Sequence, residues 1–278
     1  MRAAGDAGDS AAQRVSASPW GVARPGRAIR MPGVRMAGFQ DLGTNLIEMP
    51  VVPHPSVTLV LDFGTGALVV DDGGGAREPG GLVAGLLPGP VRLRGRNLTC
   101  VEVRLSPLVA RTVLGEWDRT VISLEDVWGR EASRLREQLA ESSSWGERFA
   151  LTEAQLARRG AAGRVVDPEV ARVWNRILGT RGRARIDDLA VEVGWSRRRL
   201  WGRFRDQLGL PPKQAAKLVR FDHAAGLLAA GEAAADVATV CGFVDQAHMH
   251  RDVQAFTGMT PVMLATDLGL AVDHSAYT

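Results

Sequence analysis

Between about Val51 and Leu105, apolar residues fall in short runs punctuated by glycine and proline, a pattern that predicts strands. Val57–Phe63 and Ala67–Val70 flank Gly64-Thr65-Gly66, which predicts a hairpin-like turn. After a glycine-rich loop over 71–81 come Leu82–Leu87, Val91–Arg94 and Thr99–Leu105. Strands this short and this closely spaced predict a small antiparallel sandwich or barrel. From Ser106 the apolar spacing becomes helical. Ser106-Pro107 supplies a cap and an N1 proline for a helix through Leu114, followed by predicted helices over Ser123–Glu141 and Trp145–Arg159. The last two are amphipathic, suited to packing on the sheet or on a second subunit. Gly160-Ala161-Ala162-Gly163 reads as a linker. Beyond it every periodic segment is helical, beginning with Asp167-Pro168 and the stripe Val170, Val173, Trp174, Ile177. Residues 1–34 show no periodicity and read as a disordered tail, with Met31 and Met36 as alternative translation starts.

Within the helical third, one pattern occurs twice. Ile186–Val193, Gly194-Trp195, Ser196 and Arg197–Leu208 match Asp236–Cys241, Gly242-Phe243, Asp245 and Gln246–Phe256, and the copies end at Gly209…Pro212 and Gly258…Pro261. Each reads as helix, glycine-aromatic turn, capped second helix and glycine stop, the layout of a helix-turn-helix. A long helix over Lys213–Ala230 joins the copies, and a short helix after Pro261 brings the predicted total to seven.

Composition narrows the function. No run of about 18 apolar residues is present, so no membrane span is expected, and no apolar stretch follows the N-terminal arginine to make a secretory signal. Cys100 and Cys241 lie in different predicted domains without metal-ligand spacing, which fits a reducing cytoplasm. Net charge is only +3, yet residues 181–220 hold 11 basic and 4 acidic side chains, a local +7, while residues 1–163 hold 19 and 18. A basic segment on a helix-turn-helix copy points to a polyanion partner.

In the first copy Leu200, Phe204 and Leu208 must face the core, which leaves Arg197, Arg198, Trp201, Gly202 and Arg205 outward beyond the Ser196 cap. Arginine pairs bidentately with guanine, and also binds phosphate. In the second copy Met249, Val253 and Phe256 face inward, and Gln246, Ala247, His250 and Arg251 face outward. Glutamine reads adenine, and alanine suits a thymine methyl. Residues 236–261 hold one arginine against three aspartates, so the first copy is expected to supply most phosphate attraction. His248 is balanced between a phosphate contact and a polar packing role.

Residues 167–268 resemble the DNA-binding domain of AraC/XylS-family transcriptional regulators, through the doubled motif, the connecting helix and the stretch Gly242–Arg251 ending at Gly258-Met259-Thr260-Pro261. The strand-rich half resembles, more weakly, the cupin-like sensor domains joined to that module. The resemblance implies an α+β chain: a disordered tail over 1–34, a β-rich sensor or dimerisation domain with a helical layer over 35–160, an all-α domain of two helix-turn-helix units over 164–268, and a tail over 269–278. It implies recognition helices 197–208 and 246–256 in successive major-groove segments of double-stranded DNA. DNA-binding positions would be Ser196, Arg197, Arg198, Trp201, Gly202, Arg205, Gln246, Ala247, His250 and Arg251. By the same resemblance RNA polymerase is a partner and an unidentified small molecule the effector; no cofactor and no catalytic residue is expected, and monomer and homodimer both stay open.

Three rival readings run against the residues, of which a purely structural helical adaptor that does not read DNA is opposed by the three consecutive arginines after the Ser196 cap. The alternative is a cupin-type enzyme or ligand-binding protein with a helical adaptor; a metal-dependent cupin enzyme would need a histidine–carboxylate cluster, but only His54 lies in 36–120, in a Pro-His-Pro loop where a structural role is expected. A fused DNA-repair methyltransferase would need a zinc-binding cysteine cluster. Cys241 is expected in the core, Trp128 and Trp145 in packing, and the face taken by Cys100 is undecided.

Overall fold

Successive side chains of a strand point to opposite faces, so a strand buried on both sides serves two layers at once. The computed structural model describes residues 20–43, 46–73, 75–77, 80–86, 89–115 and 121–271. Its strands are β1 (Trp20–Ala23), β2 (Val34–Asp41), β3 (Ile47–Val51), β4 (Val57–Asp62), β5 (Leu68–Asp71), β6 (Ala76–Arg77), β7 (Gly81–Ala84), β8 (Val91–Gly95), β9 (Thr99–Leu105) and β10 (Val121–Ser123). They form a six-stranded sheet in the order β1-β2-β9-β4-β7-β10 and a four-stranded sheet in the order β3-β8-β5-β6, with antiparallel neighbours throughout. On β9, Val101, Val103 and Leu105 join the core shared with the helices, whereas Cys100, Glu102 and Arg104 face the space between the sheets.

The helices are α1 (Pro107–Leu114), α2 (Leu124–Trp128), α3 (Arg130–Glu141), α4 (Trp145–Ala162), α5 (Pro168–Gly179), α6 (Ile186–Glu192), α7 (Arg197–Leu208), α8 (Pro212–Ala229), α9 (Ala234–Val240), α10 (Gln246–Thr257) and α11 (Pro261–Ala271). In α3 and α4, Leu135, Leu139, Phe149 and Leu156 bury against the six-stranded sheet. Trp128 packs beneath the Arg159 guanidinium, and Trp145 stacks on Phe149 at 5.9 Å, so both tryptophans serve packing. The seven helices α5–α11 form the C-terminal part. Among the described residues, no helix is long and apolar enough to cross a membrane.

Four expectations are corrected. Residues 20–34 are ordered: β1 pairs with β2, Trp20 meets Phe39 edge-on at 6.2 Å, and Glu153 binds Arg27 and the Arg30 amide. A four-residue strand carries too little pattern to show alone, and the Glu153 that holds Arg27 and Arg30 lies far along the chain. The disorder read into residues 1–19 lies outside the described residues, as does most of the 269–278 tail. Second, β4 and β5 are not a hairpin, because they belong to different sheets. Gly64 and Gly66 carry the chain across, lying so close to the backbone of Arg96–Thr99 that neither site has room for a side chain. Third, Ser123–Glu141 is not one helix. Ser123 ends β10 and caps α2 by accepting from the Glu125 amide at 3.2 Å, then Gly129 at φ 58° breaks the path before α3. Fourth, Gly160–Gly163 is not a linker, since α4 runs through Ala162 and Arg159 binds Glu131 and the Val113 carbonyl.

Among the described residues the two parts touch at several places, β3 against α11 among them. α1 packs against α7, the Gly89-Pro90 loop lies beside Ala255 and Gly258 at the end of α10, and Asp222 of α8 faces Arg104 of β9 and Arg35 of β2.

Candidate nucleic-acid interface

Each helix-turn-helix unit is closed by the residues its sequence placed at the ends. In the first, Gly194 takes φ 67°, the Ser196 hydroxyl accepts from the Arg199 amide at 3.2 Å, and Gly209 ends α7 in the left-handed region. In the second, Gly242 takes φ 73°, Asp245 accepts from the His248 amide at 2.6 Å, and Gly258 ends α10 the same way. These devices satisfy amides and carbonyls that a helix end leaves open. Leu200, Phe204 and Leu208 of α7 are fully buried, as are Met249 and Val253 of α10, with Phe256 nearly so. That burial fixes the opposite faces outward.

On α7, Arg197, Arg198, Trp201 and Arg205 are all exposed. Arg197 is drawn to Asp187 at 3.0 Å, Arg203 is held by Asp167, and Arg199 lies over Trp195 at 4.5 Å. Arg198 has no such partner among the described residues, so its guanidinium is available to a ligand. Trp201 is 48% exposed, with the Arg205 guanidinium 5.1 Å from its ring centre. An exposed indole braced by an arginine offers apolar and cationic contact together. A side chain at Gly202 would meet nothing within 4 Å, so no contact inside the chain requires glycine there. On α10, Gln246, Ala247, His250 and Arg251 are exposed.

His248 settles as a packing residue. It is half-buried, meets the Phe243 ring edge-on at 5.4 Å, and lies 3.8 Å from Asp252. Asp252 is the residue that sequence reasoning missed. Its side chain is 6% exposed and accepts from Lys217 at 3.0 Å and Arg220 at 3.1 Å, both on α8. Two of the three aspartates counted against the second copy are therefore occupied, Asp245 as a cap and Asp252 inside an ion-pair cluster.

A second candidate site lies between the sheets. A cavity of about 150 Å³ is walled by apolar residues including Phe39, Val60, Leu68, Leu82, Val91 and Leu93, with Arg94, Glu102, Arg104, Asp62 and His54 at its margins. His54 thus lines the cavity, with Nε2 3.3 Å from the Thr58 hydroxyl. Cys100 also faces it, and burial pushes its thiol pKa well up. Burial raises Asp62 too, against hydrogen bonds from the Gly64 and Thr99 amides. Glu102 and Arg104 escaped notice because charged residues alternating with valines read as a solvent face. Among the described residues no three His, Cys, Asp or Glu side chains cluster as metal ligands.

A family model described as a helix-turn-helix domain matches residues 189–265. No curated protein sequence matches the chain closely enough to serve as a relative. Among solved structures, the chain is similar to ToxT of Vibrio cholerae O395, with TM-score 0.50 and 11% identity over 86% of this chain and 99% of that one. ToxT bound to (E)-4-(8-methylnaphthalen-1-yl)but-3-enoic acid gives TM-score 0.51 and 10% identity over 85% and 99%. At such identities the likeness is one of fold, and it extends over both parts of the chain. Residues 189–265, which span α7 to α10, are therefore a helix-turn-helix domain.

Proposed function

We propose that the protein is a DNA-binding transcription regulator of AraC type that reads DNA with the outward faces of α7 and α10, placed in successive major-groove segments. The carrying observation is that the two helices match in cap, core and stop but differ outwardly. Arg198 and Trp201 face out from one, and Gln246, Ala247, His250 and Arg251 from the other. Two unlike half-elements on one DNA face are the expected target. Arg198 and Arg251 are assigned base contacts, Gln246 an adenine, and Arg197 and Arg205 phosphates. Residues 164–268 do this work, and residues 35–160 sense and dimerise. The cavity between the sheets takes a small effector. ToxT has been solved with an apolar carboxylic acid, and such a molecule suits apolar walls with Arg94 and Arg104 at the margin. The protein works in the cytoplasm, contacts RNA polymerase and catalyses no reaction.

The test is selection of bound duplexes from random sequence by the full chain, followed by titration of the selected site. Arg198→Ala should weaken that site by about 1–3 kcal/mol and relax one base position. Equal binding by wild type and the Arg198→Ala, Arg251→Ala double variant would overturn the assignment.

A further inference from the structure

One strongly basic segment is not absorbed by the two recognition helices: Arg181-Gly182-Arg183-Ala184-Arg185, the loop between α5 and α6. Its three arginines are exposed, and no carboxylate pairs with any of them among the described residues. The loop backbone, by contrast, is fixed. The amides of Arg181, Gly182 and Arg183 donate to the carbonyls of Leu178, Ile177 and Thr180 at 2.9, 2.9 and 3.1 Å, and the Ala184 amide donates to the Thr180 hydroxyl at 3.2 Å. Arg181 and Gly182 both hold positive φ, at 51° and 72°. Gly182 is buried against the Ala216 carbonyl and Arg220 amide of α8, where a Cβ would collide with backbone. Pressing the middle of the loop into α8 turns the flanking side chains outward, so the cost of ordering the loop backbone is met before any ligand arrives.

Position gives this charge its meaning. At one end the loop leads into α6, whose Asp187 holds Arg197, the first residue of α7. At the other, the Arg183 stem lies over Gly242, three residues before the Asp245 cap of α10. The loop therefore spans the gap between the N-terminal ends of the two recognition helices. Arg181 is anchored within it, its guanidinium 2.9 Å from His223 Nε2, while burial together with Arg181 and Arg183 lowers the pKa of that imidazole.

We propose that this loop is a third DNA contact, in which Arg183 and Arg185 bind backbone phosphates of the segment between the two major-groove sites. The inference rests on the proposed docking of α7 and α10. If both helices enter DNA by their N-terminal turns, the loop between those turns faces the intervening backbone; Arg183 donates through Nε to the Thr180 carbonyl at 3.3 Å, and neither it nor Arg185 has a carboxylate partner among the described residues, so their remaining donors can meet a row of phosphates. The contact carries no sequence information. It fixes the separation and register of the two reading heads.

The experiment measures affinity of the full chain for a long mixed-sequence duplex across a salt series. Each phosphate contact adds about 0.9 to the slope of log affinity against log salt. Arg183→Ala with Arg185→Ala should lower that slope by about 2 and weaken unselected and selected duplexes alike, whereas Arg183→Lys with Arg185→Lys should keep it. Arg130→Ala with Arg134→Ala, on α3, makes the same change in net charge far from the loop and should leave the slope near wild type. A loop variant that behaves like the α3 variant overturns the proposal. The underlying reading is scored separately: Arg198→Ala with Arg251→Ala must weaken selected DNA, and if it does not, the docking fails whatever the loop does.

Discussion

Replacing Asp252 with alanine tests how α10 is held. Asp252 lies on the inner side of α10, and its carboxylate, 6% exposed, accepts from Lys217 and Arg220 on α8. Removing one partner of a buried ion pair costs about 3–5 kcal/mol, because the remaining charges are left uncompensated. Here the two cations differ. The Lys217 side chain is 37% exposed and can rehydrate, so its share is discounted as for a surface pair. Arg220 is 16% exposed and pinned 4.6 Å over the Phe243 ring, so its charge stays behind. The expected loss is about 2–4 kcal/mol, read from guanidinium unfolding followed by circular dichroism. Because α8 and α10 meet through this cluster, DNA affinity should fall with stability. Adding Arg220→Met should restore part of the loss by removing the stranded charge, which a simple cavity would not do. A loss under about 0.5 kcal/mol, the range of ordinary surface substitutions, would refute the reasoning.

Two further outcomes follow from the interior. Asp222, facing Arg104 and Arg35 across the junction of the two parts, has its pKa raised by burial from 3.8 to about 6. A carboxyl raised on folding favours the folded state at low pH, and that contribution is lost as pH rises through about 6. Asp222→Asn should therefore be more stable than wild type at pH 7.5, by up to about 3 kcal/mol, with the gap closing near pH 4; denaturant midpoints at both values check it, and a gap independent of pH would sink it. Gly38→Ala would drive a Cβ into the Trp145 ring, so it should destabilise by about 1–3 kcal/mol and disturb tryptophan emission, whereas Gly26→Ala, in open space, should do neither.

Legibility in the sequence followed how local each signal was. The bounds of α7 and the start of α10 were readable because cap, stop and inward residues all lie within one helix, and Ser196, Gly209, Asp245 and Gly258 each act on amides or carbonyls a turn away. The strand β9 was readable over Thr99–Leu105 for the same reason, but its partners were not. Sheet membership depends on residues far apart, so Gly64-Thr65-Gly66 looked like a hairpin while serving as a crossing between sheets. The cavity was hidden more deeply: Glu102 and Arg104 have the polarity of a solvent face and become cavity residues only when a second sheet covers them.

Charge shows most plainly why counting along the chain misjudges a surface. The second copy scored as acidic, yet Asp245 is turned onto its own helix end and Asp252 is turned inward onto α8. What α10 presents to a partner is Gln246, Ala247, His250 and Arg251, a neutral-to-basic face. The first copy carries a basic excess along the chain, yet Arg197, Arg199 and Arg203 are engaged with Asp187, Trp195 and Asp167, leaving Arg198 the most available of the cluster. Geometry therefore brings α7 and α10 closer in charge than the sequence does, and leaves part of the positive charge without a carboxylate partner in the loop of Arg181, Arg183 and Arg185. Under the proposed docking, two helices that differ in side-chain chemistry more than in charge suit two unlike half-elements, with the loop between them adding phosphate attraction to that of Arg197 and Arg205.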